Sequence, residues 1–212
     1  MKSYLIFFLL LITTTLSYSQ NSIDEDNLAK SWSMEQLRDA NVNKKVEYMS
    51  NKEKDVIFVC NLARINGPLF IKTILKPYLV SKKLKSNYNV KSLIKKLNKQ
   101  NALPVFQADK LLYKLALGHA KTSGQRGTIG HDGFMDRLQK ANKDFRNVAE
   151  NIFYGKDDAI GITLEMLIDN GVVKMGHRKN MLNPVLGFIG VSIQPHKSVY
   201  EYNCVMEFGG KQ

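Results

Sequence analysis

Two histidines and one glutamate stand in three short motifs in the second half of the chain. His131 belongs to the sequence GHDGF at 130–134, Glu150 to NVAENI at 147–152, and His177 to GHRKNMLNP at 176–184. Imidazole together with carboxylate is the usual material for a divalent metal site or for proton transfer near neutral pH. The three residues therefore predict either a site for Zn²⁺ or another divalent cation, or a proton shuttle that needs no metal.

The residues around each motif indicate how its side chain is presented. Gly130 and Gly133 flank His131 and permit a sharp turn. Glu150 lies in an apolar, strand-like run, where a buried carboxylate needs a partner, a metal or a proton. His177 is predicted to lie in a loop rich in Gly, Asn and Lys. Each histidine alone is equally compatible with a hydrogen bond to nearby backbone, and spacing along the chain does not prove that the three converge.

Other polar residues are interpreted as stabilising the fold more than as taking part in chemistry. Arg137 and Arg178 are suited to bind a carboxylate or phosphate of a substrate, but pairing with internal acids such as Asp132 or Glu207 is the favoured interpretation. His119 is interpreted as a packing or surface residue of a helix. The sequence holds no serine elbow, cysteine nucleophile with its base, phosphate loop or HExxH helix.

The elements that must position these residues follow from hydrophobic periodicity and from turn signals. A capping box at Ser50 and Glu53 predicts the start of a buried helix, and Gly67-Pro68 ends it and begins a second one. Further helices are predicted over 108–123 and 157–169, and strands over 148–154, 188–193 and 200–208. Early helices followed by a late antiparallel hairpin predict one layered α+β domain.

A lysine-rich segment stands in the first half of the chain. Residues 82–99 contain seven lysines and no Asp or Glu. Val90, Leu93, Ile94 and Leu97 have helical spacing, which predicts an amphipathic helix. Its more exposed sides carry four lysines: Lys91, Lys95, Lys96 and Lys99. These lysines form either a docking face for an acidic polymer or lipid, or an ordinary solvated face.

The beginning of the chain predicts export. Lys2, a short apolar run and the small-residue pattern at 17–19 describe a signal peptide over residues 1–19, too short to span a bilayer. We therefore expect a secreted or periplasmic protein with no transmembrane span after cleavage, an N-terminal extension over 20–49, and one domain over 50–212. The formal net charge of +12 is compatible with nucleic-acid binding. Because an exported protein rarely meets nucleic acid, we expect anionic envelope surfaces as its partner instead.

Two cysteines, Cys60 and Cys204, lie in a predicted helix and a predicted strand. Export makes one disulfide between them compatible with the redox compartment. Use of both as separate, small buried hydrophobic residues is the alternative.

The motifs together resemble those of one family. The sequences NLAR at 61–64, GH at 130–131, AENI at 149–152, GHRKNML at 176–182 and VMEFG at 205–209 are similar to those of the CAP superfamily (cysteine-rich secretory protein, antigen 5 and pathogenesis-related 1; also called the SCP domain), in its bacterial form. The resemblance implies an α–β–α sandwich with a central antiparallel sheet. It also implies a large cleft where two histidines and acidic residues sometimes hold a divalent cation, placing His131, Glu150 and His177 there.

The resemblance is incomplete at one acidic position. Eukaryotic relatives have a second glutamate on the helix before the second histidine, in a Trp-containing motif. Here residues 164–171 contain no Trp, and Glu165 or Asp169 is the candidate. Arg178 and Asn180 are expected to support the cleft.

Fold does not determine function, and this family has binding, toxin, lipid-carrying and hydrolytic roles. The favoured prediction is a binding module for an anionic envelope polymer, a lipid or a partner protein. The alternative is a hydrolase of envelope peptides or glycans that depends on metal or on the His/Glu group, so enzyme activity is left open.

Overall fold

The computed structural model describes residue 23 and residues 25–172 and 174–211. The described helices are α1 Glu25–Ala29, α2 Met34–Ala40, α3 Asn51–Ile65, α4 Gly67–Phe70, a π-helical turn Ile71–Leu75, α5 Lys76–Ser81, α6 Tyr88–Lys99, α7 Lys110–Arg126, α8 Phe134–Ala141, α9 Ala159–Ile168 and α10 Gly176–Met181. The strands are β1 Gln107–Ala108, β2 Asn147–Gly155, β3 Phe188–Pro195 and β4 Tyr202–Gly210. The predicted signal peptide lies outside the described residues. Within them, none of the helices has the length and apolar character that a membrane span requires.

The four strands form one mixed sheet in the order β1-β3-β4-β2. The three long strands pair antiparallel, as predicted, with Glu150 opposite Glu207 and Gly190 also opposite Glu207. The sheet is mixed because the two-residue strand β1, which was not predicted, pairs with β3 in parallel. Asn61 accepts a hydrogen bond from the N–H of Phe106 at 2.7 Å and so helps to hold β1 in this position.

Helices cover both faces of the sheet, which agrees with the predicted α–β–α arrangement. On one face, Met206 and Phe208 of β4 join the core that α3 and α9 build. On the other face, Val205 packs against Ala116 and Ala120 of α7. Side chains of β4 therefore alternate between two apolar layers, one on each face of the sheet. Nearly every residue of this central strand is buried.

Two predictions about helix starts have different outcomes. The capping box at Ser50 and Glu53 is present and begins α3. The helix predicted from residue 108 begins instead at Lys110, because Ala108 belongs to β1 and Asp109 caps the helix by accepting from the N–H groups of Leu111 and Leu112.

Buried Arg64 joins the end of α3 to the segment after α10. Its guanidinium donates to the carbonyls of Pro104, Met181, Asn183 and Leu186, at 2.7 to 3.1 Å. The Cζ atom of its guanidinium also lies 3.9 Å from the centre of the Phe106 ring. The NLAR sequence thus contributes a structural cation that fixes the position of α10.

Residues before Ser50 also belong to the core. Trp32 is buried and donates to the hydroxyl of Thr73 at 3.1 Å. Leu28 and Met49 are buried in the same cluster. The predicted extension therefore packs against the rest of the domain.

Cys60 and Cys204 are both buried and unbridged. They fill the core as separate hydrophobic residues, which was the alternative to a disulfide. Burial raises the pKa of the Cys60 thiol to about 12, so neither a thiolate nor its chemistry is available at neutral pH.

Candidate functional site

His131 and Glu150 form the first of two histidine–carboxylate pairs. His131 stands in the turn before α8, where Gly130 and Gly133 adopt left-handed conformations with φ of 102° and 70°. Its Nδ1 lies 2.7 Å from Oε1 of Glu150, whose side chain is 1% exposed, whereas the histidine side chain is 54% exposed. A carboxylate at Nδ1 favours the tautomer with the proton there. The other ring nitrogen, Nε2, is therefore left as the acceptor of an exposed imidazole.

Two residues that were not predicted to belong to the site hold this turn. Tyr154 accepts a hydrogen bond from the N–H of Gly130 at 2.8 Å. His119, predicted to be a packing or surface residue, is buried with its Nε2 3.0 Å from the Gly130 carbonyl. Burial lowers the pKa of His119, and Arg137 lowers it further, so His119 acts as a neutral brace.

Arg137 donates hydrogen bonds to the second carboxylate oxygen of Glu150 and to a second buried acid, Glu207. Its guanidinium donates to Oε2 of Glu150 through Nε and Nη2, and Nε is also 2.9 Å from Oε1 of Glu207. Nη1 donates to the carbonyl of Asp132 at 2.7 Å. Arg137 therefore pairs with internal acids, Glu207 included, while Asp132 contributes its carbonyl and not its carboxylate. Both carboxylate oxygens of Glu150 are engaged.

Glu207 is held in its neutral form. It is fully buried opposite Glu150, and its Oε2 has no hydrogen-bond partner. Burial, and next the charge of Glu150, raise the pKa of Glu207 to about 9. A proton on Glu207 also provides a donor toward Glu150. One guanidinium thus neutralises the single charge on Glu150 while Glu207 stays protonated at neutral pH.

This raised pKa predicts a loss of stability with rising pH. Between the ordinary value of 4.5 and about 9, the folded state keeps a proton that the unfolded state releases, so the free energy of unfolding falls as pH rises through this window. Glu207→Gln cannot ionise and should gain at least about 1 kcal/mol over the parent chain between pH 5.5 and 8.5. Urea unfolding of both proteins at several pH values measures this difference. A pH-independent difference would contradict the assignment.

His177 and Asp169 form the second pair. The prediction of a loop for His177 is wrong: the residue lies on the short helix α10. Asp169 ends α9 in a left-handed conformation with φ of 59° and is almost fully buried. Its Oδ1 is 2.7 Å from Nδ1 of His177, and its Oδ2 accepts from the N–H of Arg178 at 3.0 Å. The side chain of His177 is 26% exposed, and its Nδ1 is the ring nitrogen that the carboxylate of Asp169 engages.

The structure distinguishes the two acids that the sequence offered near His177. Glu165 lies on α9 and accepts a hydrogen bond from the Tyr78 hydroxyl at 3.2 Å. Asp169 contacts the histidine directly. Asp169, one residue beyond the helix, is therefore the second acidic group of the site.

Edge strand β2 connects the two pairs. Asn151, next to Glu150, donates to the main-chain carbonyl of His177 at 3.1 Å. Asn180, predicted to support the site, donates to Oδ1 of Asn151 at 2.8 Å and lies 3.4 Å from the Glu150 carbonyl. Asn151 was not predicted, although an amide within a buried, apolar strand is a signal for such a role. This network places α10 directly beside Glu150.

Arg178 supports the site through main-chain contacts. The prediction that it pairs with an acid such as Asp132 or Glu207 is wrong, since its guanidinium donates to the carbonyls of Leu167, Ile168 and Asn89 and to the hydroxyl of Ser92. Burial lowers the pKa of Arg178. The residue joins α6, α9 and α10, and thereby fixes the helix that carries His177.

The donor set limits what a metal ion could use here. Each carboxylate oxygen of Glu150 and Asp169 already has a partner. Among residues 23, 25–172 and 174–211, no three His, Cys, Asp or Glu side chains are grouped as a metal site. The carboxylates orient the two imidazoles, and Nε2 of each imidazole is the nitrogen left for a ligand. A bound divalent cation stays a prediction.

No protein-family model and no curated protein matches this sequence. Similarity is found to solved structures. An extracellular protein containing an SCP domain from Bacillus anthracis is 28% identical, with a TM-score of 0.41, and the alignment covers 51% of this chain but only 35% of that one. The CAP domain of Enterococcal PrgA is 16% identical, with 81% of this chain and 70% of that one covered and a TM-score of 0.43. These two proteins are described as containing an SCP domain and a CAP domain, respectively.

An outer surface protein from Borrelia burgdorferi is also similar, at 22% identity and a TM-score of 0.44, with 61% of this chain and 97% of that one covered. These superpositions are partial. The likeness to the CAP superfamily therefore concerns the fold, and the roles of individual residues rest on the contacts within this chain.

Proposed function

We propose that the mature chain is an exported binding module of CAP type that docks on an anionic envelope polymer. The observation that carries this proposal is the exposed basic face of α6. Val90, Leu93 and Leu97 of this helix are buried in the core. The opposite sides carry four exposed lysines, which we call the α6 lysines: Lys91, Lys95, Lys96 and Lys99.

The α6 lysines are available for a partner. Within the part of the chain that the structure describes, none of them forms an ion pair with a carboxylate. Lys96 and Lys179 of α10 both line a cavity of about 390 Å³. Basic residues thus continue from α6 to the helix that carries His177, which favours one anionic partner in contact with both helices.

Replacing the four α6 lysines by Gln should reduce retention on isolated cell-envelope material about a thousandfold at low salt. Each lysine near an anionic surface contributes roughly 1 kcal/mol, and screening removes this contribution as salt rises. Co-sedimentation at increasing salt measures the effect.

A matched variant distinguishes the effect of the α6 lysines on retention from the effect of net charge alone. Replacing Lys110, Lys114, Lys121 and Lys143 by Gln removes the same charge, and the first three of these exposed residues lie on α7, across the sheet from α3 and α9. We expect that variant to bind nearly as the parent chain does. Equal losses in the two variants, or retention that does not depend on salt, would contradict docking through α6.

The two histidines are proposed to bind the partner through Nε2, directly or through Zn²⁺ or another divalent cation. The affinity for Zn²⁺ should be weak, because imidazole nitrogens are the only protein donors that the pairs leave unengaged. Calorimetric titration of the mature chain with Zn²⁺ checks this, with the His131→Ala, His177→Ala double variant as control. His119 and His196 remain in that variant, so equal heats in both proteins would contradict a metal at the pairs.

Hydrolysis of an envelope peptide or glycan is the second candidate function. One observation favours it: His131 is exposed and its Nδ1 is held by a buried carboxylate, as in a general base oriented by an acid. Binding remains preferred, because Glu150 itself has no free oxygen with which to activate water.

A further inference from the structure

We propose that residues 80–88 insert into the surface of an anionic lipid bilayer. This segment, which we call the α5–α6 connection, runs from the end of α5 to the first residue of α6. This inference goes beyond the proposed function, because a bilayer is a different partner from the polymer that the α6 lysines are proposed to bind. The α6 lysines supply charge alone, whereas the α5–α6 connection combines charge with exposed apolar side chains.

Three large apolar side chains project from this connection. All nine residues from 80 to 88 are exposed. Val80 is 77% exposed, Leu84 45% and Tyr88 74%. Exposed apolar side chains that cluster in one short segment indicate a contact surface, whereas single ones are ordinary. Tyr88 also has the amphipathic ring that suits the boundary between lipid and water.

The charges within the segment itself favour an anionic partner. Lys82, Lys83 and Lys85 alternate with the apolar side chains and are exposed. The chain from residue 56 to residue 108 contains nine lysines and one arginine but no Asp or Glu. Protein-binding surfaces are depleted in lysine at their core, and a hydrophilic polymer gives no role to Val80 and Leu84. An anionic bilayer satisfies both the charge and the apolar groups.

Local hydrogen bonds fix the main chain at both ends of this connection. Lys83 adopts a left-handed conformation with φ of 52°, and the N–H of Leu84 donates to the carbonyl of Leu79 at 2.9 Å, which closes the end of α5. Asn87 accepts from the N–H of Val90 at 3.0 Å and begins α6. Both ends of the connection are therefore fixed, so insertion needs little ordering of the chain.

The first test places a fluorescent probe at Tyr88. The chain has one tryptophan, Trp32, which is 3% exposed and gives a constant background. Tyr88→Trp should shift its emission to the blue on vesicles of phosphatidylglycerol and phosphatidylcholine, and brominated acyl chains should quench it. Val199→Trp, at a residue 93% exposed on the β3–β4 turn, should show neither effect. Equal responses at the two positions would overturn the proposal.

The second test measures binding to the same vesicles. Replacing Val80, Leu84 and Tyr88 by Ser should weaken binding about tenfold or more, because their apolar surface no longer leaves water. The control replaces the exposed Met34, Val185 and Val199 by Ser and should bind as the parent chain does. Unchanged vesicle binding in the first variant would overturn insertion while leaving polymer docking by α6 intact. Failure of the parent chain to bind vesicles would overturn the bilayer as partner, whereas failure to bind envelope material would contradict the proposed function itself.

Discussion

Replacing Arg137 by Met is expected to lower the free energy of unfolding by about 3–5 kcal/mol, the usual cost of removing one partner from a buried ion pair. The guanidinium is the cation that contacts both Glu150 and Glu207, and the two carboxyl groups are almost completely buried. Without it, the charge on Glu150 faces a second acid in an apolar layer.

Urea unfolding at pH 7 measures this effect. Arg146→Met is the matched control, since Arg146 is exposed and its loss should change the free energy of unfolding by less than about 0.5 kcal/mol. Adding Glu150→Gln and Glu207→Gln to Arg137→Met should recover part of the loss, because no uncompensated charge is then buried. A loss below about 1 kcal/mol in Arg137→Met would show that the cluster is not held by this cation.

Gly190→Ala is expected to be the most disruptive small change in the sheet. A methyl group at this position of β3 would lie 2.0 Å from the main-chain N of Tyr113 and 2.2 Å from the carbonyl carbon of Leu112. Both are backbone atoms of α7, so no side-chain rotation relieves the clash and the helix must move away from the sheet. We expect a destabilisation of about 3 kcal/mol or more, at the upper end of overpacking effects.

Gly118→Ala tests the same helix without the clash. No atom lies within 4 Å of the added methyl group, and alanine is about 1 kcal/mol better than glycine inside a helix. Thermal unfolding should therefore show Gly118→Ala at or above the parent chain and Gly190→Ala far below it. Similar midpoints for the two variants would contradict the close packing of α7 on β3.

Periodicity was sufficient to predict the main elements. The three long strands and the helices around 51–65, 88–99 and 159–168 follow from apolar residues at a period of two or near four. β1 was missed because it has two residues and is held by side chains of Asn43 and Asn61, far away in sequence. No local pattern reveals such contacts.

The site was predicted only in part, for a related reason. Motifs identified both histidines and Glu150, but the structure arranges them as two pairs, each with its own carboxylate. Asp169 could not be chosen over Glu165 from helical spacing, because it lies past the end of α9 with a positive φ. Likewise, buried Arg178 donates hydrogen bonds to main-chain carbonyls. Every residue has such a carbonyl, so the sequence cannot indicate which ones the arginine contacts.

The central claim is that the chain binds envelope material without hydrolysing it. The most direct test incubates the mature chain with isolated cell-envelope material and examines both the pellet and the supernatant. Glu150→Gln and His131→Gln are compared with the parent chain, the latter because His131 is exposed and its replacement leaves the core intact. The account predicts that the parent chain is found in the pellet and that mass spectrometry finds the same soluble peptides and glycans with all three proteins. Fragments released catalytically by the parent chain and lost in both variants would contradict it.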